Sequence, residues 1–313
     1  MSENPQLFLF LSVDIIGSTE TKYNKKISIE EWYTSFTDFY VSFPEEFRNH
    51  LESEYKYQRI LNYFPEKLVV WKHAGDEILF YIEITQKGEL PCIVNAFKKT
   101  LEDWYSDEED KSDEENKMNV KGCVWTGQVP FIDRKIKEDD CNKFDFIGPS
   151  IDCGFRLGKH ASKKEIVISV EVADLVNGVQ NLQSSLYYLK SENLKGVLGD
   201  KEYPIFVLQL DVPKTNEYAY LKIPCIENNL DKYITEYYKE IAKDYEGMVS
   251  RIDENIPDYL ESKKELSNKI EQTKTADQQK AEEITSGKKG DKSEYKEYKG
   301  LFYSSGDEII AEP

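Results

Sequence analysis

Residues 67–84 read KLVVWKHAGDEILFYIEI, two runs of β-branched and aromatic residues on either side of Ala74-Gly75-Asp76-Glu77. Strand-length apolar runs interrupted by a glycine-containing turn predict a β-hairpin. Its tip carries an acid, Asp76. Upstream, residues 7–16 read LFLFLSVDII, a buried strand by length and composition, followed by Gly17-Ser18-Thr19, which suits a turn and a helix cap. Asp14 sits near the end of that strand. A carboxylate so close to buried strand residues is costly unless something cationic compensates it. Two such acids, each ending a hydrophobic strand, point to a common cation. Backbone amides opening a helix just after Asp14 suit an anion, and a triphosphate is the natural guest. Phosphoryl transfer needs chiefly positioning and charge neutralisation, which two hard divalent ions held by two aspartates supply.

Outward from these segments, Trp32, Phe36, Phe39, Tyr40, Phe43 and Phe47 recur at spacings of three and four, predicting an amphipathic helix to about Leu51. Residues 55–61 read as a further strand, 90–104 as a helix and the acidic run from Asp103 to Asn116 as a solvated loop insertion. VKGCVWTGQVP (120–130) reads as a strand, IDCGFRLGKHAS (151–162) as a helix, EIVIS (165–169) as a strand and KEYPIFVLQL (201–210) as the last strand. One catalytic domain over 1–212 is expected, then a helical extension over 213–275 and a polar, mobile tail over 276–313.

The 59 acidic against 41 basic residues leave a net charge of −18, which repels a nucleic-acid backbone, so no nucleic-acid partner is expected. No apolar run approaches the roughly 18 residues of a membrane span, and the start lacks the features of a signal peptide. The five cysteines are odd in number, scattered and without a CxxC spacing, against a disulfide framework or a thiolate zinc site. With three histidines and no HExxH, an imidazole-held metal is also disfavoured. Reduced thiols in a cytoplasmic protein, and magnesium or manganese on carboxylates, are the expectation.

Four segments in order across roughly residues 6–210 resemble the class III nucleotidyl cyclases. FLSVDIIGST resembles their first-strand motif and KHAGDEILF their Lys-x-x-Gly-Asp hairpin. FDFIGPSIDCGFRL resembles the segment in which a base-reading residue is followed by an Asn and then an Arg, and ENLKGVLGDKEYPIFVLQL their closing Lys-Gly element and strand. The resemblance implies an α+β, ferredoxin-like palm fold with a C-terminal helical extension. It implies Asp14, Asp76 and the Ile15 carbonyl as ligands of two Mg2+ or Mn2+ ions per site. It makes Arg156 the group that stabilises transition-state charge, and Gly17, Ser18, Thr19 and Lys195 the holders of phosphates. Lys72 and Asp145 fall at the two base-reading positions, and Asp152 stands where the family keeps a ribose-facing Asn. The implied assembly is a head-to-tail homodimer with nucleoside triphosphate bound between its domains.

The Lys72 and Asp145 pair is the one typical of adenylate cyclases and points to ATP. The wording WKxxGDEILF and GPSIDxGFRL also resembles the pyrimidine cyclases of bacterial Pycsar anti-phage systems, which make cyclic UMP or cyclic CMP and act through a separate cyclic-nucleotide-binding effector. A bulky side chain from a strand before the hairpin, Tyr55, Tyr57 or Tyr63, would narrow the pocket to a pyrimidine. Two other readings compete. A diguanylate cyclase or polymerase palm also carries Gly-Asp-Glu at a hairpin tip, but with a doubled glycine and without the Arg156 segment. A decayed, nucleotide-binding scaffold would have lost an aspartate or the arginine.

Overall fold

Strand β1 (Gln6–Ile15) is buried on both sides because its odd and even positions are apolar in turn. Leu7, Leu9, Leu11 and Val13 face one way, and Phe8, Phe10, Ser12 and Asp14 the other. The computed structural model describes residues 6–23, 28–58, 67–85, 88–110, 117–129, 133–137, 144–197, 201–210, 223–224 and 227–244. Helices α1 (Ser18–Tyr23) and α2 (Ile29–Tyr57) lead to β2 (Val69–Ala74) and β3 (Glu77–Ile84). Helix α3 (Glu89–Asp110) then leads to β4 (Val120–Val129). The four strands lie in the order β4-β1-β3-β2, all antiparallel, and with α2 and α3 as crossovers they form the βαββαβ ferredoxin-like unit.

Beyond it come the small hairpin β5 (Arg134–Lys137) and β6 (Phe144–Ile147), helix α4 (Pro149–Leu157), β7 (Glu165–Ile168) and α5 (Val170–Val176). The chain continues through α6 (Gln180–Gln183), β8 (Leu186–Glu192), β9 (Tyr203–Gln209), β10 (Ile223–Pro224) and α7 (Glu227–Asp244). β7 pairs parallel with β4 and extends the main sheet to β10-β8-β9-β7-β4-β1-β3-β2. The fold is α+β, as the sequence indicates.

The odd face of β1 packs under the helices, while Phe8 and Phe10 on the even face join the same core through Trp71, Trp125 and Phe146. Helix α2 opens with a capping box, Ser28 accepting from the Glu31 amide while Glu31 accepts from the Ser28 amide. It then buries Phe36, Phe39, Phe43, Phe47, Leu51 and Tyr55 along one stripe. Phe43 and Phe47 pack edge-on or tilted against Phe80 of β3 and Phe97 of α3. That stripe carries the helix past Leu51 to Tyr57, so residues 55–57 are its last turn and not the start of a strand, and Tyr63 lies outside the described residues. Helix α3 likewise runs on through Asp110, so most of the acidic run is helix rather than loop. Trp104, donating its indole N–H to the Met118 carbonyl, anchors that extra length.

Part of the predicted extension is docked. β10 pairs with β8. On α7, Tyr237 donates to Glu171 at 2.9 Å and Tyr233 stacks on Tyr188 at 3.9 Å. Residues 245–313, including the expected tail, lie outside the described residues. Among the described residues no helix is long and apolar enough to cross a membrane.

Candidate active site

The even face of β1 grades from aromatic to ionic toward its C-terminal end: Phe8, Phe10, Ser12, Asp14. Register places Glu77 of β3 directly opposite Asp14 on one side and Lys121 of β4 opposite it on the other. Residues so paired share a face with side chains within reach of one another. Lys121 Nζ lies 3.2 Å from Asp14 Oδ2. Asp76 occupies the turn between β2 and β3, where Gly75 supplies a φ of +73° that a side-chain-bearing residue resists. The tip is held from three sides. The Ile15 amide donates to the Asp76 carbonyl at 3.4 Å, the Ser18 hydroxyl donates to Asp76 Oδ2, and the Tyr40 hydroxyl donates to the Gly75 carbonyl.

Three acids of the same sign thus gather at one end of the sheet. Burial raises the Asp14 carboxyl above its usual range, Lys121 opposing and the Asp76 charge adding to the rise. Glu77 is raised by burial first and then by the charges of Asp14 and Asp76, against a Ser12 hydrogen bond and Lys121. The Tyr40 hydroxyl is raised by burial and by both aspartates. Such a cluster stabilises any cation brought to it.

A cavity of about 390 Å³ opens on this face, lined by Asp14, Glu77 and Lys121 on one side and by Phe155, Arg156 and Lys159 on the other. Arg156 reaches it because α4 lies directly on the sheet. A Cβ on Gly154 would meet the Trp125 ring at 2.2 Å, so only glycine lets the helix backbone rest there. Phe155 packs at the rim against Trp71 and Trp125. Of the residues the sequence singled out, Asp14 and Arg156 line this cavity, while Asp76 and Ser18 meet each other beside Asp14.

The other predicted residues sit elsewhere. Lys72 and Asp145 form an ion pair at 2.8 Å, with the ammonium 4.1 Å from the Trp71 ring centroid. Desolvation alone would raise the Asp145 carboxyl. Lys72 and the Phe146 amide together outweigh it and hold the carboxyl below its usual range. Asp152 is exposed in the first turn of α4, and Lys195 is exposed in the turn Leu194–Val197. Tyr57, 65% exposed in the last turn of α2, lines no part of the cavity. Gly17 and Thr19 are exposed, whereas Ser18 is buried and engaged with Asp76. Sequence reasoning passed over Ser12, Glu77, Lys121 and Lys159. Glu77 and Lys121 become visible only once β1 is paired in register with both neighbours.

The donor set fits magnesium or manganese. Asp14, Asp76 and the Ile15 carbonyl are hard oxygen donors. Among the described residues no three His, Cys, Asp or Glu side chains converge to hold an ion by themselves. Magnesium is commonly held in this way, by one or two carboxylates completed by water and substrate phosphates.

No protein-family model and no curated protein matches the chain. Among solved structures it is similar to the guanylyl cyclase Cya2, at 13% identity and a TM-score of 0.44 over 68% of this chain and 95% of that one. It is also similar to the GTP-bound guanylate cyclase domain of RhGC from Catenaria anguillulae, at 11% identity and a TM-score of 0.46 over 66% and 98%. A third is the adenylyl cyclase CyaB from P. aeruginosa, at 14% identity and a TM-score of 0.43 over 66% and 94%.

Proposed function

We propose that this protein is a nucleotidyl cyclase, converting a nucleoside triphosphate to its 3′,5′-cyclic monophosphate and diphosphate. One observation carries the reading: Asp14, beside the Ser18-held Asp76, and Arg156 are presented on one open face of the sheet, where a second copy packed head to tail would bring the aspartates of each chain against the arginine of the other. In the reaction the 3′-oxygen bonds to the α-phosphorus, the bond from that phosphorus to the bridging oxygen breaks, diphosphate leaves and the 3′-hydroxyl proton passes to solvent. Two divalent ions on Asp14, Asp76 and the Ile15 carbonyl would neutralise the triphosphate and lower the charge barrier to attack. Arg156 offers up to five N–H donors to the oxygens on which charge develops. Gly17, Thr19 and Lys195 are assigned to the phosphates and Asp152 to the ribose. Incubating the purified protein with all four ribonucleotides and manganese, and identifying cyclic products by mass spectrometry, tests the proposal. No cyclic product from any nucleotide would overturn it.

The base is assigned to Lys72 and Asp145. Following the resemblance to the pyrimidine cyclases, UTP or CTP is the proposed substrate, although Tyr55 is buried in the core and Tyr57 lies away from the cavity, so neither narrows it. The charged Lys–Asp pair itself favours the second reading, ATP, and the same incubation decides between them. Following the Pycsar resemblance, the cyclic pyrimidine would be an anti-phage signal read by a separate effector. Cyclic nucleotides measured before and during phage infection test this: a pyrimidine product that rises on infection supports it, and steady cyclic AMP counts against it.

We further propose a head-to-tail homodimer in which a second copy closes the open face. Ile136, Ile147 and Phe155 are 43%, 53% and 36% exposed on the β5–β6 hairpin and α4. Mixing Asp14→Ala and Arg156→Ala proteins tests whether the site is shared. Recovered activity means that Arg156 serves the partner's aspartates. Mixed dimers that form but stay inactive would contradict a shared site.

A further inference from the structure

Asp133 has no place in the scheme above, yet it is fully buried at the foot of the elements that carry Asp145 and Arg156. One carboxylate oxygen, Oδ2, accepts from the Gln128 amide of β4 at 3.1 Å, and the other, Oδ1, accepts from the Ser150 amide in the first turn of α4 at 3.1 Å. The backbone closes the same link, the Asp133 amide donating to the Gln128 carbonyl at 3.0 Å.

Helix α4 has no cap of its own, because its N-cap residue is Gly148, with no side-chain oxygen to accept from the first amides. Asp133 accepts in its place, from outside the helix. The fit depends on two absent side chains. A Cβ on Gly148 would stand 2.2 Å from Asp133 Oδ1, and one on Gly127 3.0 Å from Oδ2. Gly148 also holds a φ of +150°, a backbone that side-chain-bearing residues rarely adopt. The carboxylate therefore fills the gap between β4 and the junction of β6 with α4. Asp145 lies three residues before Gly148, and Arg156 lies two turns after it.

We propose that Asp133 is a positioning residue: its sealed carboxylate pins the β6–α4 junction to β4 and thereby fixes Asp145 and Arg156 on the open face of the sheet. The proposal rests on the cyclase reading for the role of Arg156. The clamp itself rests only on geometry. A helix free to shift on Trp125 loses Arg156 contacts made in the transition state, which lowers kcat more than it raises KM.

The test pairs amide hydrogen exchange with kinetics on Asp133→Ala in the full chain. Exchange in residues 146–157 is expected to quicken at least about tenfold while α2 and α3 stay at wild-type rates. kcat should fall at least about tenfold, with KM within about threefold. If Asp133→Ala does not fold, Asp133→Asn, which keeps the volume but sets an N–H2 group against one of the two amides, carries the measurement with smaller changes in the same directions. Unchanged exchange in α4, faster exchange spread evenly over the domain, or a loosened α4 with wild-type kcat would each overturn the proposal. A wild-type protein that makes no cyclic nucleotide would instead sink the cyclase reading, and the exchange pattern would still decide the clamp.

Discussion

The two faces of β1 are made from the same ten residues and do opposite work. On the odd face Leu9, Leu11 and Val13 are wholly buried against Ile82, Phe80 and Ile78 of β3, under the phenylalanines of α2. On the even face Phe8 and Phe10 give way to Ser12 and Asp14, and the cross-strand neighbours change with them from Tyr81 and Trp125 to Glu77 and Lys121. The odd face serves packing along its whole length, whereas the even face packs through Phe8 and Phe10 and beyond Ser12 gathers charge that a folded protein holds only at a cost. A strand with period two lets both be specified almost independently.

Substitutions should separate the faces. The largest loss of function is expected on the even face. Asp14→Ala or Asp76→Ala should lower turnover at least roughly a thousandfold, the scale of several kcal/mol of charge neutralisation, with the circular-dichroism melt unchanged or raised. A parallel loss of fold would break the comparison. Arg156→Ala should follow, with kcat down on the order of 10²–10³ and KM little changed in steady-state assays. On the odd face Phe47→Ala should cost about 3–5 kcal/mol in denaturant unfolding, while the protein that remains folded keeps its specific activity.

A smaller effect concerns pH. Burial pushes the Asp133 carboxyl from 3.8 to about 6. Because the folded value is the higher, this group's contribution is complete below the unfolded value and is lost as pH rises through about 6. The loss amounts to roughly 3 kcal/mol for two units. Asp133→Asn should remove that slope, so the difference in Tm between wild type and variant should vary between pH 3.8 and about 6 and level off above. A constant difference across that window would contradict the shift.

Most of this arrangement is legible in the sequence wherever local pattern decides it. The β1 run, the hairpin and the Phe36–Phe47 spacing all declare their own period, and Asp14 and Asp76 stand out as acids ending apolar strands. The end of α2 is not legible in the same way: YKYQRIL has strand composition, and only continuation of the buried stripe from Leu51 to Tyr55 shows the helix going on. Helix α5 and strand β8 have no clear signal along the chain, because both are short and five of the seven residues of β8 are only partly buried. Glu77 and Lys121 join Asp14 through register, and Asp133 reaches α4 across a gap left by two glycines. Contacts of that kind have no signature along the chain.

The hairpin tip has a thermal consequence. Asp14 lies within paired strand, hydrogen-bonded into a sheet on both sides, whereas Asp76 stands on a turn tethered by single bonds from Ser18, Tyr40 and the Ile15 amide. Local opening of a turn held by three single bonds is expected at a lower free energy than opening of the paired strands, so activity should be lost on heating before the circular-dichroism melt of the domain.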